Sequence, residues 1–396
     1  MTGRLNALAL TVTTVVVASA VLLGGCSGAT SASSEATSAD SYKVGAILSL
    51  TGTYAALGSS EKNALELEVT RINAAGGVNG RRIELIIEDD GTDEAKAVAA
   101  ASKLLSQDEV IAILGASGTG QSMAIRSEID RAGVPQISMA GGTVITSTFD
   151  RLVFQTPWSN SLVVPYVLDR IAADGYTKLA VISDSGGYGK DGNAIIVAEA
   201  PKKGIQIVSR QTFNPGDTDF SAQLTKVKSS DAQAVLLWTA GKEGASIVKS
   251  ASELGVSLPQ YGGSGQAKVE FPAGAGPAAD GFVFGTGRSL VASNWPADSE
   301  QYGVIRDFSR RYSTAYGQDP DIFAGHAYDA IAILVDGLKR AGSGTDPAAL
   351  RDAIEKTSAL PGFGGAFTFS PTDHNGLTAD DLALYRVGEG TWERVR

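Results

Sequence analysis
From residue 42 onward the apolar positions switch repeatedly between the period of a strand and that of a helix. Residues 43–50 (KVGAILSL) read as a strand, and 59–75 has helical spacing and closes on Gly76-Gly77, as helix ends do. A strand at 83–88, a helix at 94–105, a strand at 110–114, a helix at 121–132 and a short strand at 135–138 follow. After Gln155-Thr156-Pro157 the rhythm restarts. Helices at 162–173, 191–200, 220–227 and 245–254 alternate with strands at 179–183, 205–210 and 234–238, and short strands come at 260–261 and 281–285. The pattern predicts two α/β units of comparable size, each with parallel strands and helices on both faces. The last part differs: long helices at 299–316 and 323–341, a third at 347–356, then strands at 364–369 and 382–387 in a hairpin-like segment. Ligands of open α/β sheets bind outside the carboxyl ends of the strands, so two facing sheets would share one cleft.

The stretch 110–124 (VIAILGASGTGQSMA) holds the most informative chemistry. Its apolar run is a buried strand, and Ser117 follows where a helix is expected to begin. A helix start leaves backbone N–H groups unpaired and partly positive, which suits a carboxylate or phosphate. Gly115, Gly118 and Gly120 would let a ligand approach the backbone closely. Two other readings stand beside this one: a plain Ser N-cap with a tight glycine turn, and a faint dinucleotide fingerprint, which would belong after the first strand rather than the third. The nucleophile elbow fails, because Thr119 stands where its last glycine should be.

Little in the chain points to catalysis. The two histidines, His326 and His374, lie far apart, the first on an apolar helix and the second in a turn-like PTDHNG, where Asp373-His374 reads as a solvated turn. No H-E-x-x-H, C-x-x-C or Walker A sequence occurs. Asp89, Asp90 and Asp93 lie between a strand and a helix, where Asp is a common cap, so they read as caps rather than as metal ligands. The expectation is a binding protein with no cofactor and no metal.

The N-terminus changes the picture of where such a protein works. Arg4, an apolar small-residue run from about 7 to 25 and then Cys26 describe a secretory signal with a lipobox-like end, so residues 1–25 are expected to be cleaved and Cys26 lipidated. Cys26 is the only cysteine, so no intramolecular disulfide can staple the domain. Residues 26–41, rich in Ser, Ala and Thr, read as a flexible tether from the outer face of the cell membrane. A formal net charge of −10 over 396 residues disfavours nucleic acid or an anionic membrane surface as partner.

VGAILSLTGTYAALG, INAAGGVNGRRIELIIEDDGTD, GASGTGQ, GVPQISMAGG, DSGGYGKD and AYDAIAILVDGL together resemble the type I periplasmic binding proteins. Among these the chain is similar to the leucine/isoleucine/valine-binding branch of ABC-importer receptors. The resemblance implies an α/β fold of two doubly wound parallel-sheet lobes joined by a hinge. It places lobe one at 42–157 plus 288–362 and lobe two at 158–287 plus 363–396. It also implies a monomer that delivers a small carboxylate-bearing solute, such as a branched-chain amino acid or a related acid or amide, to a permease. A sensory receptor reporting to a membrane signalling partner is the alternative.

Position by position, the resemblance gives Ser117 the solute carboxylate, held by hydroxyl and backbone N–H, with Gly118 and Thr119 beside it. Ala140 and Gly141 follow the fourth strand and complete that site, with Gly142 or Thr143 as the neighbouring donor, and Ser138, which ends the strand, is a further ligand-binding candidate. Tyr188 matches the lobe-two tyrosine that reaches across the closed cleft. Two positions depart from the family's amino-acid binders: Ala240 replaces an aromatic, and Ser264, with Gln266 nearby, stands where a Glu would pair the ligand ammonium. The solute is therefore expected to lack an α-ammonium or to pair it with another acid such as Glu243. Trp158, Trp238 and Tyr54 are candidate walls, and Leu57, where relatives often carry an aromatic, suggests a wider pocket.

Overall fold
The computed structural model describes residues 41–395. The signal, Cys26 and nearly all of the tether lie outside the described residues. The first half runs β1 (Ser41–Leu48), α1 (Ala55–Ala74), β2 (Arg82–Asp89), α2 (Glu94–Ser106), β3 (Ala112–Gly115), α3 (Thr119–Ala124), α4 (Arg126–Ala132), β4 (Gln136–Ser138), α5 (Val144–Ser147) and β5 (Val153–Gln155). Its five strands form a parallel sheet in the order β2-β1-β3-β4-β5. β1 is central and buried over most of its length, which is why its apolar residues run almost continuously instead of alternating.

The second half continues with α6 (Asn160–Ala173), β6 (Lys178–Asp184), α7 (Gly187–Glu199), β7 (Gln206–Phe213), α8 (Ser221–Lys228), β8 (Ala234–Trp238), α9 (Glu243–Glu253), β9 (Gln260–Gly262), α10 (Glu270–Ala275) and β10 (Val283–Gly287). Then come α11 (Glu300–Tyr316), α12 (Ile322–Ala341), α13 (Pro347–Ile354), β11 (Leu360–Pro361), β12 (Ala366–Phe367), β13 (Leu382–Gly388) and β14 (Thr391–Val395). The second sheet is ordered β14-β13-β10-β9-β8-β6-β7 and repeats the strand order of the first in β6 to β10. Two doubly wound lobes result. The long helix α12 packs on α1 and β3, whereas β13 pairs with β10, so the chain passes between the sheets after β5, after β10 and before β13.

Three local expectations are corrected. The helix expected at 121–132 is two short helices that meet at Ile125. The C-terminal hairpin joins β13 to β14 through Glu389 and Gly390, both at positive φ, as a two-residue turn between twisted strands requires. Of residues 364–369 only β12 is extended, and it pairs with β11. Among the described residues no helix is long and apolar enough to cross a membrane.

In both sheets the strand order reverses beside the first strand, which opens a crevice at the carboxyl ends of β1 and β3 and of β6 and β8. Ser117 sits at one crevice and Ala240 at the other. α1 buries Leu57, Ala64, Leu65, Val69 and Ile72 on one face, together with two acids, Glu61 and Glu68. Glu68 is ion-paired with Arg71 at 2.7 Å and with Arg311 at 2.8 Å.

Candidate solute pocket between the lobes
A pocket with about 430 Å³ of non-atom space lies between the two crevices. Lobe one contributes Tyr54 and Leu57 from the start of α1, Ser117, Gly118 and Thr119 after β3, and Met139, Ala140 and Gly141 after β4. Pro157 and Trp158 enter from the first connection between the sheets, and Tyr188, Ala240, Ser264 and Gly265 come from the second lobe. Ile322, Phe323 and His326, at the head of α12, close the wall.

Ser117 is not the helix cap. α3 starts at Thr119, its N-cap is Gly118 and no side chain caps it. With only six residues it also adds little dipole, so local N–H and hydroxyl donors matter more than the helix. The Ser117 hydroxyl accepts from Ser49 N–H at 3.1 Å and is hydrogen-bonded to the Glu61 carboxyl. Glu61 is fully buried, and desolvation, reinforced by Asp90 and Asp321 and only partly offset by Ser117, pushes its carboxyl well above the usual range. The glycines here also answer to close packing within the protein. A Cβ at Gly118 would lie 2.0 Å from Gln121 Oε1, and one at Gly120 would lie 2.2 Å from Glu94 Oε1.

The lobes meet over the pocket. Thr143 N–H and Val144 N–H donate to the Asp191 carboxylate at 2.8 and 3.1 Å, and Asn160 Nδ2 donates to it at 2.8 Å. Gly187 comes so close to Gly120 that a Cβ on it would sit 2.5 Å from the Gly120 nitrogen. Tyr188 is hydrogen-bonded to the Gly265 backbone, and burial raises its hydroxyl pKa.

Five residues singled out in the sequence lie behind the wall rather than in it. Trp238 is fully buried under Tyr188, hemmed by Gly192 and Gly263. Ser138 Oγ bonds Ser122 Oγ at 2.8 Å and accepts weakly from Ala140 N–H. The Gly142 carbonyl accepts from Gln155, and Gln266 Nε2 donates to Thr239 O at 2.8 Å. Glu243 is likewise turned away and accepts from Gly216 N–H at 2.7 Å. The pattern of the chain carried no sign of Phe323 and His326 in the wall, because tertiary packing alone brings α12 there.

His326 is buried, edge-on to Trp158 at 5.2 Å, with Nδ1 lacking a hydrogen-bond partner among the described residues. Burial lowers its pKa to about 3, so the imidazole is neutral. Thr119 Oγ1 is also buried and unpartnered at the pocket. His374, expected in a solvated turn, is instead buried and stacked on Phe154 at 4.1 Å. Asp93 caps α2 through Lys96 N–H, and Asp90 accepts from Ser49 Oγ at 2.6 Å. Among the described residues no group of His, Cys, Asp and Glu is placed to hold a metal.

Two twinned sheets that meet over a shared pocket define a two-lobed solute-binding protein. The chain belongs to the periplasmic binding protein family, whose sequence profile matches residues 41–391. It is 30% identical over 352 residues, 88% of this chain and 91% of the relative, to the Leu/Ile/Val-binding protein homolog 3 of Brucella melitensis. It is similar to the branched-chain amino acid transporter substrate-binding protein LivJ of Streptococcus pneumoniae, solved in complex with isoleucine. That likeness has 26% identity and a TM-score of 0.79 over 90% of this chain and 99% of that one. An extracellular ligand-binding receptor of Rhodopseudomonas palustris HaA2 matches with a TM-score of 0.84 at 25% identity, over 89% of this chain and 99% of that one.

Proposed function
We propose that the chain is an exported solute-binding lipoprotein, anchored through Cys26, that captures a small carboxylate between its lobes and hands it to an ABC importer. Lobe one would comprise 42–157 and 288–362, and lobe two 158–287 and the segment from 363 onward, whose first part, through His374, still packs on β5 and α12 of lobe one. Support for transport comes from the relatives, which include a transporter substrate-binding protein.

The observation that carries the choice of solute is the pocket's composition: among its described lining residues there is no Asp, Glu, Lys or Arg. A solute ammonium would be buried without a carboxylate, at a cost of several kcal/mol. A carboxylate needs only donors, and the Ser117 and Thr119 hydroxyls and the Gly141 amide belong to residues that line the pocket. Each charge-assisted hydrogen bond contributes about 1.5–3 kcal/mol against the roughly 8 kcal/mol of micromolar binding, and burial of an apolar body against Leu57, Trp158 and Phe323 supplies much of the rest. We therefore read the solute as a monocarboxylate with an apolar body and no α-ammonium. Isothermal titration with leucine and with its 2-keto analogue, 4-methyl-2-oxopentanoate, tests this. The keto acid should bind at least about tenfold tighter, equivalent to about 1.4 kcal/mol, and a clear preference for leucine overturns the reading.

A further inference from the structure
A hydroxyl has one proton, and the Ser117 hydroxyl has two claimants for it. It already accepts from Ser49 N–H at 3.1 Å and lies in hydrogen-bond contact with the Glu61 carboxyl. If Glu61 is ionised, it takes the Ser117 proton, and a solute carboxylate at Ser117 meets lone pairs backed by a buried negative charge. If Glu61 is protonated, the direction reverses: Glu61 O–H donates to Ser117 Oγ, and Ser117 O–H is released to donate to the solute. Both lone pairs of Ser117 Oγ are then filled, by Ser49 N–H and by Glu61, and its only proton faces the pocket.

We propose that Glu61 is the positioning residue of the carboxylate site, holding a proton of its own so that the Ser117 proton is free for the solute anion. The proposal rests on the reading of Ser117 as a carboxylate donor. Around Glu61 the geometry favours the acid form. The charged groups that face it are Asp90, which follows β2, and Asp321, the N-cap of α12, both acids. No cation pairs with it among the described residues, and its Oε1 is buried without a partner. Glu68, two turns along the same helix and equally buried, shows the contrast, since it has Arg71 and Arg311. The buried Lys268 acts on Asp321 and donates to the Ala240 carbonyl instead.

The test compares wild type, Glu61→Gln and Glu61→Met with 4-methyl-2-oxopentanoate and benzoate as probes, by titration calorimetry and by infrared difference spectroscopy of the carboxyl region. The amide of Gln can donate to Ser117 as the protonated acid does, whereas Met cannot. Glu61→Gln should weaken binding no more than about threefold and Glu61→Met about tenfold or more, the value of one lost hydrogen bond. The wild-type complex at neutral pH should show a protonated-carboxyl band that Glu61→Gln lacks. Equal weakening in the two variants, or a bound state without that band, overturns the proposal, and the band decides should Glu61→Met fail to fold. If neither acid binds wild type at any pH from about 5 to 9, the carboxylate reading itself fails and the role of Glu61 falls with it.

Discussion

Tyr188 stacks on Trp238 with ring centroids 6.0 Å apart and planes inclined by 15°. The tyrosine faces the pocket and the tryptophan backs it, so the aromatic floor of the second lobe is two layers deep. Tyr188→Ala should weaken solute binding at least about tenfold by opening a cavity under the solute. Tyr188→Phe, which keeps the stack and loses only the bond to Gly265, should cost about one net hydrogen bond or less. Calorimetric titration of both variants checks this.

Ser117→Ala should weaken binding about tenfold, or about 1.4 kcal/mol, by removing one charge-assisted donor. It also strips Ser49 N–H and Glu61 of their shared partner. A stability loss of about 1–3 kcal/mol is therefore expected without unfolding. Denaturant titration separates the two effects, and unchanged affinity would take Ser117 out of the site.

Asp191 touches no pocket residue's side chain in the hydrogen-bond network described, yet its carboxylate receives Thr143 and Val144 N–H from across the cleft. Asp191→Ala should therefore loosen the closed form and raise the solute dissociation rate about tenfold, with little change in association. Stopped-flow kinetics measures both rates. An unchanged dissociation rate would mean that closure does not depend on this clasp.

The pH dependence of stability should carry the mark of His326. Its pKa is about 3 in the fold against about 6.5 in an unfolded chain. Its contribution is therefore complete above about pH 6.5 and is lost as pH falls toward 3. Asp184 and Asp321, raised to about 6, work the other way, because the fold binds their protons first between about pH 4 and 6. Between about pH 6.5 and 5, wild type should lose about 2 kcal/mol more than His326→Phe, as read by denaturant titration at each pH. Parallel losses in the two proteins would contradict a neutral, desolvated His326.

Much of this was legible in the chain. The strand and helix periods give most of the elements through α13, missing α5, β5 and α10 and fusing α3 with α4, and GASGTGQ and GGYGKD mark two loops that line the pocket. Other features were not. Trp238 looked like a wall and proved to be a backing layer, since a pattern of apolar residues says that a side chain is buried but not which neighbour stands in front of it. Glu61 carried no sign of a role in the site, since a lone acid in a helical stretch ordinarily faces solvent. Only its position on the same stripe as Leu57, Ala64 and Leu65 hinted at the core.

The amino-acid sequence by itself determined two α/β units, the loops after their strands and the solute-binding family, because periodicity, capping and turn residues act over a few neighbours. The tertiary structure alone decided which loops converge. His326 and Phe323 reach the pocket only because the chain returns to lobe one after β10, and Glu61 meets Ser117 only because β1 and β3 are adjacent. Contacts between residues so far apart in the chain depend on how whole sheets and helices pack, which no local pattern records.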